Sequence, residues 1–400
     1  MTGTRSFRIG INYGHVADNL PSPSRVASFI VSLNITRVRI YDADPEVLSA
    51  FANTGVELTI GLENKYIVNF TDPAQAKNWV QQNVAPYTNQ TNIKMIIVGN
   101  EVLTGEDVNM MLCLLPALKN VHKALTDLGL SQQIYVTTAH SYGIMGVSFP
   151  PSLGMFKHAL VGFLLDILAF LSEKEAPFLM NVNPYFAYKN DPNHVPLEYV
   201  LFEPNPGQTD PITKLHYDNM LYAQMDAVYT ALKLLYAQMG SALNATDFHR
   251  PSFQSSEIGW SRWRIPTKPR PPPSKNGTVG RIIPPPNGTF EDQTENARLF
   301  NRNLLKLVEE GHGTPLNPSV PIDAYIFALF DEDLKPGPET ERHFGLFYPN
   351  MTPAYDIGLQ GGAAAAIQRV DYTASGIDNS IVGGLFGFYV AFISFLLLLV

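Results

Sequence analysis

The sequence predicts an α/β protein of the (β/α)8 TIM-barrel class. Three observations lead there. Eight short strand-like runs, the first four of them β-branched, alternate with helical patterns along the chain, the rhythm of a parallel sheet closed by crossover helices. Two of those runs end in a glutamate, at the strand end that in such a barrel faces the site. No G-x-G-x-x-G or Walker-type loop follows an early run, which removes the main functional motive for an open doubly wound sheet.

The strand-like runs are Phe7 to Tyr13, Arg37 to Asp42, Val56 to Leu62, Lys94 to Gly99, Ile134 to Ala139, Phe178 to Asn183, Ser252 to Glu257 and Ala324 to Phe330. Helical patterns fill Ser24 to Leu33, Pro73 to Val84, Val108 to Leu128, Met155 to Leu171, Asp218 to Met239 and Thr294 to Glu310. The fifth of these gathers Met220, Leu221, Met225, Val228, Tyr229 and Leu232 on one face, the 3.6-residue period of a helix against a core. Met155 to Leu171 is very apolar, but Lys157, His158 and Asp166 interrupt it, and it is too short to span a bilayer. One stretch breaks the rhythm: residues 262–286 are rich in Pro, Arg and Lys and exclude helix or inner strand. We read it as a polyproline-like surface insertion beside the cleft rim. The resulting division is a catalytic domain over residues 1–358, a small polar linker at 359–380 and an apolar tail at 381–400.

Composition narrows the function classes. The 400 residues are 45% apolar and 16% charged, enough for a large buried core and too apolar for disorder. A net charge of −8 argues against a nucleic-acid partner. The single cysteine, Cys113, sits in an apolar helical stretch and is expected to be a buried, inert thiol. The nine histidines show no ligand spacing, so neither a catalytic metal nor another cofactor is expected. The chain is expected to act as a monomer.

Seven N-x-S/T sequons, at Asn34, Asn69, Asn89, Asn244, Asn276, Asn287 and Asn350, point to a secreted glycoprotein. The first eight residues contain no apolar leader. Either the leader lies outside this sequence or the protein is not secreted; the sequons favour the first. Ile381 to Val400 is almost wholly apolar, follows small residues and carries no basic flank. It reads as a GPI-anchor signal, with a tail-anchoring helix as the alternative. Ala374, Ser375 and Asn379 are candidate attachment residues. The expected location is the outer face of the plasma membrane or the cell wall.

The chemistry rests on the two strand-end glutamates. Glu101 closes Met95-Ile-Ile-Val-Gly-Asn-Glu101, and Glu257 closes Ser252-Phe-Gln-Ser-Ser-Glu257. As the ends of the fourth and seventh strands, they face each other across the barrel mouth. Two carboxylates flanking a sugar are the usual equipment for glycoside hydrolysis. Asn100 offers an amide to a hydroxyl or to the neighbouring carboxylate. Trp260 offers a flat apolar face for a pyranose.

With these residues in order, the chain resembles plant glycoside hydrolase family 17, the endo-1,3-β-glucanases. The matching stretches include Gly10-Ile-Asn-Tyr-Gly14, Val98-Gly-Asn-Glu-Val102, Asn181-Val-Asn-Pro-Tyr185, Glu257-Ile-Gly-Trp260 and Glu341-Arg-His-Phe-Gly345. The resemblance implies a (β/α)8 barrel and a retaining mechanism with Glu101 as acid/base and Glu257 as nucleophile. It also implies carboxyl groups about 5–5.5 Å apart. It places Glu332, Lys335 and Glu341 near the cleft, and Tyr13 and Tyr185 along the sugar subsites. The implied partner is a β-glucan polysaccharide such as callose or laminarin. Two departures lie near the cleft: Ser261-Arg262 replace the family's Pro-Ser, and Asn183 replaces its tyrosine. Mixed-linkage 1,3;1,4-β-glucan, or glucan binding with little turnover, are the alternatives.

Overall fold

The computed structural model describes residues 9–243, 251–266, 290–291 and 293–359. Eight strands close a barrel: β1 (Gly10–Asn12), β2 (Arg37–Arg39), β3 (Glu57–Leu62), β4 (Asn92–Asn100), β5 (Tyr135–Ser141), β6 (Phe178–Asn181), β7 (Phe253–Ile258) and β8 (Ala324–Ile326). Each strand pairs in parallel with its sequence neighbours, and β8 closes onto β1. The eight runs read from the sequence are these eight strands, with ends shifted by a few residues. Irregularities in register fall near the functional ends of β4 and β7, where a bulge re-aims a side chain.

The helices between them are α1 (Pro23–Ser32), α2 (Pro45–Ala50), α3 (Pro73–Asn83), α4 (Val108–Asp127), α5 (Val161–Glu173), α6 (Pro184–Asn190), α7 (Leu197–Val200), α8 (Met220–Leu243) and α9 (Thr294–Glu310). Aspartates start several of them: the side chains of Asp44, Asp72 and Asp107 accept from first-turn amides of α2, α3 and α4, satisfying donors that a helix leaves open. Helix α9 buries Ala297, Phe300, Leu304, Leu305 and Val308, a stripe at helical spacing. Each such large side chain contributes roughly 1.5–3 kcal/mol by leaving water. In α8, Leu221, Met225, Val228 and Leu232 are buried as expected.

Two expectations change. The pattern at Met155 to Leu171 is not one helix. Met155–Phe156 pairs with Met145–Val147, and α5 begins only after the turn His158–Leu160. Cys113 is half-buried, because α4 turns Leu114, Ala117, Leu118 and Val121 to the core and leaves Cys113 at its margin. Asn183, one of the two departures noted near the cleft, caps α6 by accepting from the Tyr185 amide at 3.2 Å.

Residues 267–286 of the insertion and 360–400 lie outside the described residues, as do the sequons Asn244, Asn276 and Asn287. At the base of the insertion, Ile265–Pro266 pairs antiparallel with Phe290–Glu291. Among the described residues no helix is long and apolar enough to cross a membrane.

Candidate active site

Glu101 and Glu257 end β4 and β7 on the same face of the barrel. Glu101 has left-handed backbone angles, φ 59° and ψ 25°, uncommon for a side chain with a Cβ. Its amide donates to the Ala139 carbonyl at 2.8 Å, which fixes the turn. On β7, Glu257 is in register with Asn181 of β6. Asn181 therefore stands between the two acids, and its amide donates to Glu101 Oε1 at 2.8 Å.

The two carboxylates differ in their company. Glu257 Oε1 accepts from the Tyr41 hydroxyl at 2.9 Å and lies 3.1 Å from Arg39 Nη1. Arg39 is 1% exposed. Its guanidinium also donates to the Ser256 carbonyl and to Asn100 Oδ1, each at 2.9 Å, and packs over the Tyr41 ring at 4.6 Å. Asn100 is held in turn by Asn64, which exchanges two hydrogen bonds with its backbone. Ser256 Oγ donates to Asn181 Oδ1 at 2.7 Å. Arg39, Asn100, Asn181 and Ser256 thus form one polar layer across β2, β4, β6 and β7, and both acids rest on it.

Electrostatics follow from that layer. Burial, and then the negative charge of Glu257, push the Glu101 pKa above its ordinary value; the Asn181 hydrogen bond offsets part of this. Burial and then the Glu257 charge hold the Tyr41 hydroxyl well above its ordinary pKa, so Tyr41 stays a donor.

A cleft of about 550 Å3 opens at this end, lined in part by Tyr41, Asn100, Glu257, Phe327, Glu332 and Lys335. Lys335 Nζ sits 4.0 Å over the Phe327 ring, 3.6 Å from Glu341 and 3.9 Å from Glu332. Glu332 is 4% exposed and accepts from the Val16 amide at 3.0 Å. A Cβ at Gly14 would lie 2.2 Å from the Glu332 carboxylate, so only glycine fits beneath it. The structure therefore brings Glu101, Asn100, Glu257, Glu332, Lys335 and Glu341 to one face.

It does not bring the three expected sugar-contacting aromatics to the cleft surface. Trp260 is 0% exposed, packed on Tyr185, Tyr188 and Phe300. Tyr185 is equally buried, against Trp260 and Phe344. Tyr13 lies edge-on to His15 and Phe330, also buried. All three are packing residues under the site, so none offers a free face to a sugar. Sequence reasoning missed Arg39, Tyr41 and Asn181. Their signal was a buried-strand pattern containing polar residues, Val38-Arg39-Ile40-Tyr41 and Met180-Asn181-Val182. Among the described residues, no group of His, Cys, Asp and Glu is arranged to hold a metal ion.

The family model for glycosyl hydrolases family 17 matches residues 9–243 and 279–359; Glu101, Glu332, Lys335 and Glu341 lie within it, and Glu257 lies in the span between. Glucan endo-1,3-beta-glucosidase 14 of Arabidopsis thaliana is 50% identical over 354 residues, covering 88% of this chain and 82% of that protein. Glucan endo-1,3-beta-glucosidase 11 of the same plant is 46% identical over 358 residues, covering 89% and 76%. Among solved structures, CJP38, a beta-1,3-glucanase and allergen of Cryptomeria japonica pollen, superposes with a TM-score of 0.74 at 37% identity, covering 88% of this chain and 99% of that one.

Proposed function

The chain belongs to glycosyl hydrolase family 17, and on that premise we propose that it is a retaining endo-hydrolase of (1→3)-β-D-glucan. Glu101 protonates the glycosidic oxygen while Glu257 attacks the anomeric carbon. A glycosyl ester forms on Glu257 and the leaving sugar departs. Glu101, now ionised, takes a proton from water, which cleaves the ester with net retention.

The observation that carries this reading is the unequal setting of the two acids. Glu101 keeps its proton more readily because it is buried beside another carboxylate. Glu257 receives a guanidinium and a phenol on Oε1, bonds that stabilise its anion. Both donors engage the same oxygen, so we assign Oε2 to the attack. Arg39 and Tyr41 hold the nucleophile and touch no proton that moves. The Lys335 ammonium offsets the negative charge of Glu332 and Glu341 at the cleft wall.

Reducing-end release tests the reading directly. The purified protein should cleave laminarin internally and give a falling chain length from the first minutes. Mixed-linkage glucan as the preferred substrate, or binding without release, would each replace this assignment. The proposal extends to location: a lipid anchor attached near Ala374 to Asn379 holds the enzyme outside the cell, acting as a monomer. It is supported by the seven sequons and the apolar run Ile381 to Val400, and is checked by release with a phosphatidylinositol-specific phospholipase.

A further inference from the structure

With Trp260 buried, the indole on the site's face is Trp263, which is 37% exposed. It lies in the loop that leaves β7, on the face that carries Glu257. Its ring is stacked on His343, with centroids 4.8 Å apart and planes within 10°. His343 comes from the loop after β8, just past Glu341, whose carboxylate meets Lys335 at the cleft wall. The imidazole covers one face of the indole, and the residue as a whole keeps its exposure to solvent.

The loop holds this ring still. The Trp263 amide donates to Ser261 Oγ at 3.2 Å, and Ser261 Oγ donates to the Thr340 carbonyl at 2.7 Å. The Arg262 amide donates to the His343 carbonyl at 2.9 Å. The Arg262 side chain pairs with Asp331 and packs over Tyr348. His343 Nε2 lies 3.2 Å from Glu339 Oε1, and Glu339 also receives Arg342 at 2.8 Å. Ser261 and Arg262, the departure noted in the sequence, are thus the residues that fix the platform.

A flat, partly exposed indole stacked on His343, whose imidazole meets the partly exposed Glu339, matches the chemistry of a pyranose. Such a ring presents C–H groups on its faces and hydroxyls around its edge, so it needs an apolar plane with hydrogen-bonding groups beside it. We propose that Trp263, backed by His343, forms an accessory subsite for one glucosyl residue of a β-glucan chain extending beyond the cleft. Trp263 follows Ser261-Arg262, where the chain departs from the Pro-Ser that the family resemblance implies. The subsite rests on the glucanase reading, and a rigid stacking partner lowers the ordering cost of binding a flexible chain.

The test compares a long and a short substrate. Trp263→Ala should raise KM for laminarin about five- to tenfold, the size of one stacking contact, with kcat unchanged. Both constants for laminaritriose should stay at the parent values, and Trp263→Phe should restore most of the laminarin affinity. In a Glu257→Gln background, laminarin should quench indole fluorescence, and Trp263→Ala should abolish that quench. An unchanged laminarin KM in folded Trp263→Ala, or equal losses on both substrates, would overturn the subsite. If the parent protein releases no reducing ends, the glucanase reading fails, and the fluorescence titration still decides the subsite: a Trp263-dependent quench keeps it, and no quench removes it.

Discussion

Glu101 and Glu257 are the same residue type at the ends of two strands of one ring, yet the barrel gives them different neighbours. Burial and then the Glu257 charge raise the Glu101 pKa, opposed by the Asn181 amide and, after it, by the Arg39 charge. Glu257 has the Arg39 guanidinium and the Tyr41 hydroxyl on a single oxygen. The difference lies in the neighbours that strand register supplies, and β2 together with the two residues that follow it provides both of those that reach Glu257. In the proposed mechanism each carboxyl group's role follows from the groups bonded to it, because a buried acid with no cation bonded to it holds its proton more readily.

The largest test of that contrast removes each acid. Glu101→Gln and Glu257→Gln should each lose at least about 10³-fold in kcat on laminarin, the size of general-acid and nucleophile contributions. The pair should separate under azide. Glu101→Ala should be rescued with a β-glycosyl azide product, and Glu257→Ala with the α-anomer, as read by proton NMR; identical anomers from both would erase the assigned difference.

A smaller effect comes from loosening the nucleophile's support. Tyr41→Phe removes one hydrogen bond to a charged group, worth about 1.5–3 kcal/mol. If that bond is fully used in the reaction, kcat should fall roughly ten- to hundredfold at unchanged fold, as measured by steady-state kinetics and thermal melting. An activity loss below twofold would show that Arg39 alone holds Glu257.

The gentlest probe is pH. Glu101 must carry its proton when it meets the glycosidic oxygen, so activity falls as pH rises through its pKa. Burial and Glu257 raise that pKa, which places the alkaline limb of kcat/KM above the ordinary glutamate range. Asn181 acts the other way by bonding the anion, so Asn181→Ala should move the limb to still higher pH. Removing the Glu257 charge by Glu257→Gln should instead lower the Glu101 pKa, visible by carbon-13 NMR of the labelled carboxyl. Shifts of the opposite sign would reverse the electrostatic account.

Much of the fold was legible because a parallel barrel writes its strands as short, separate apolar runs. The first four are rich in β-branched residues, and the later ones follow at the same spacing. The short helices were not read, although Asp44-Pro45 and Asn183-Pro184 both carry a cap followed by proline. At six and seven residues, they are too short for a periodic pattern. The glutamates stood out because a charge at the end of an apolar run has few cheap explanations. Arg39, Tyr41 and Asn181 did not, since their partners lie on other strands and depend on register. Trp260 was misplaced for a related reason. With a bulge between Ser255 and Glu257, counting alternate residues does not tell which of the next side chains turns inward, and the indole went to Phe300 of α9.

The most direct measurement is to trap the intermediate. Incubation with a 2-deoxy-2-fluoro-laminaribiosyl fluoride slows hydrolysis of the glycosyl ester, and peptide mass spectrometry then locates the sugar. The account predicts one laminaribiosyl unit on the peptide containing Glu257, absent from Glu257→Gln. A label on Glu101, or steady turnover with inversion and no labelled peptide, would contradict it.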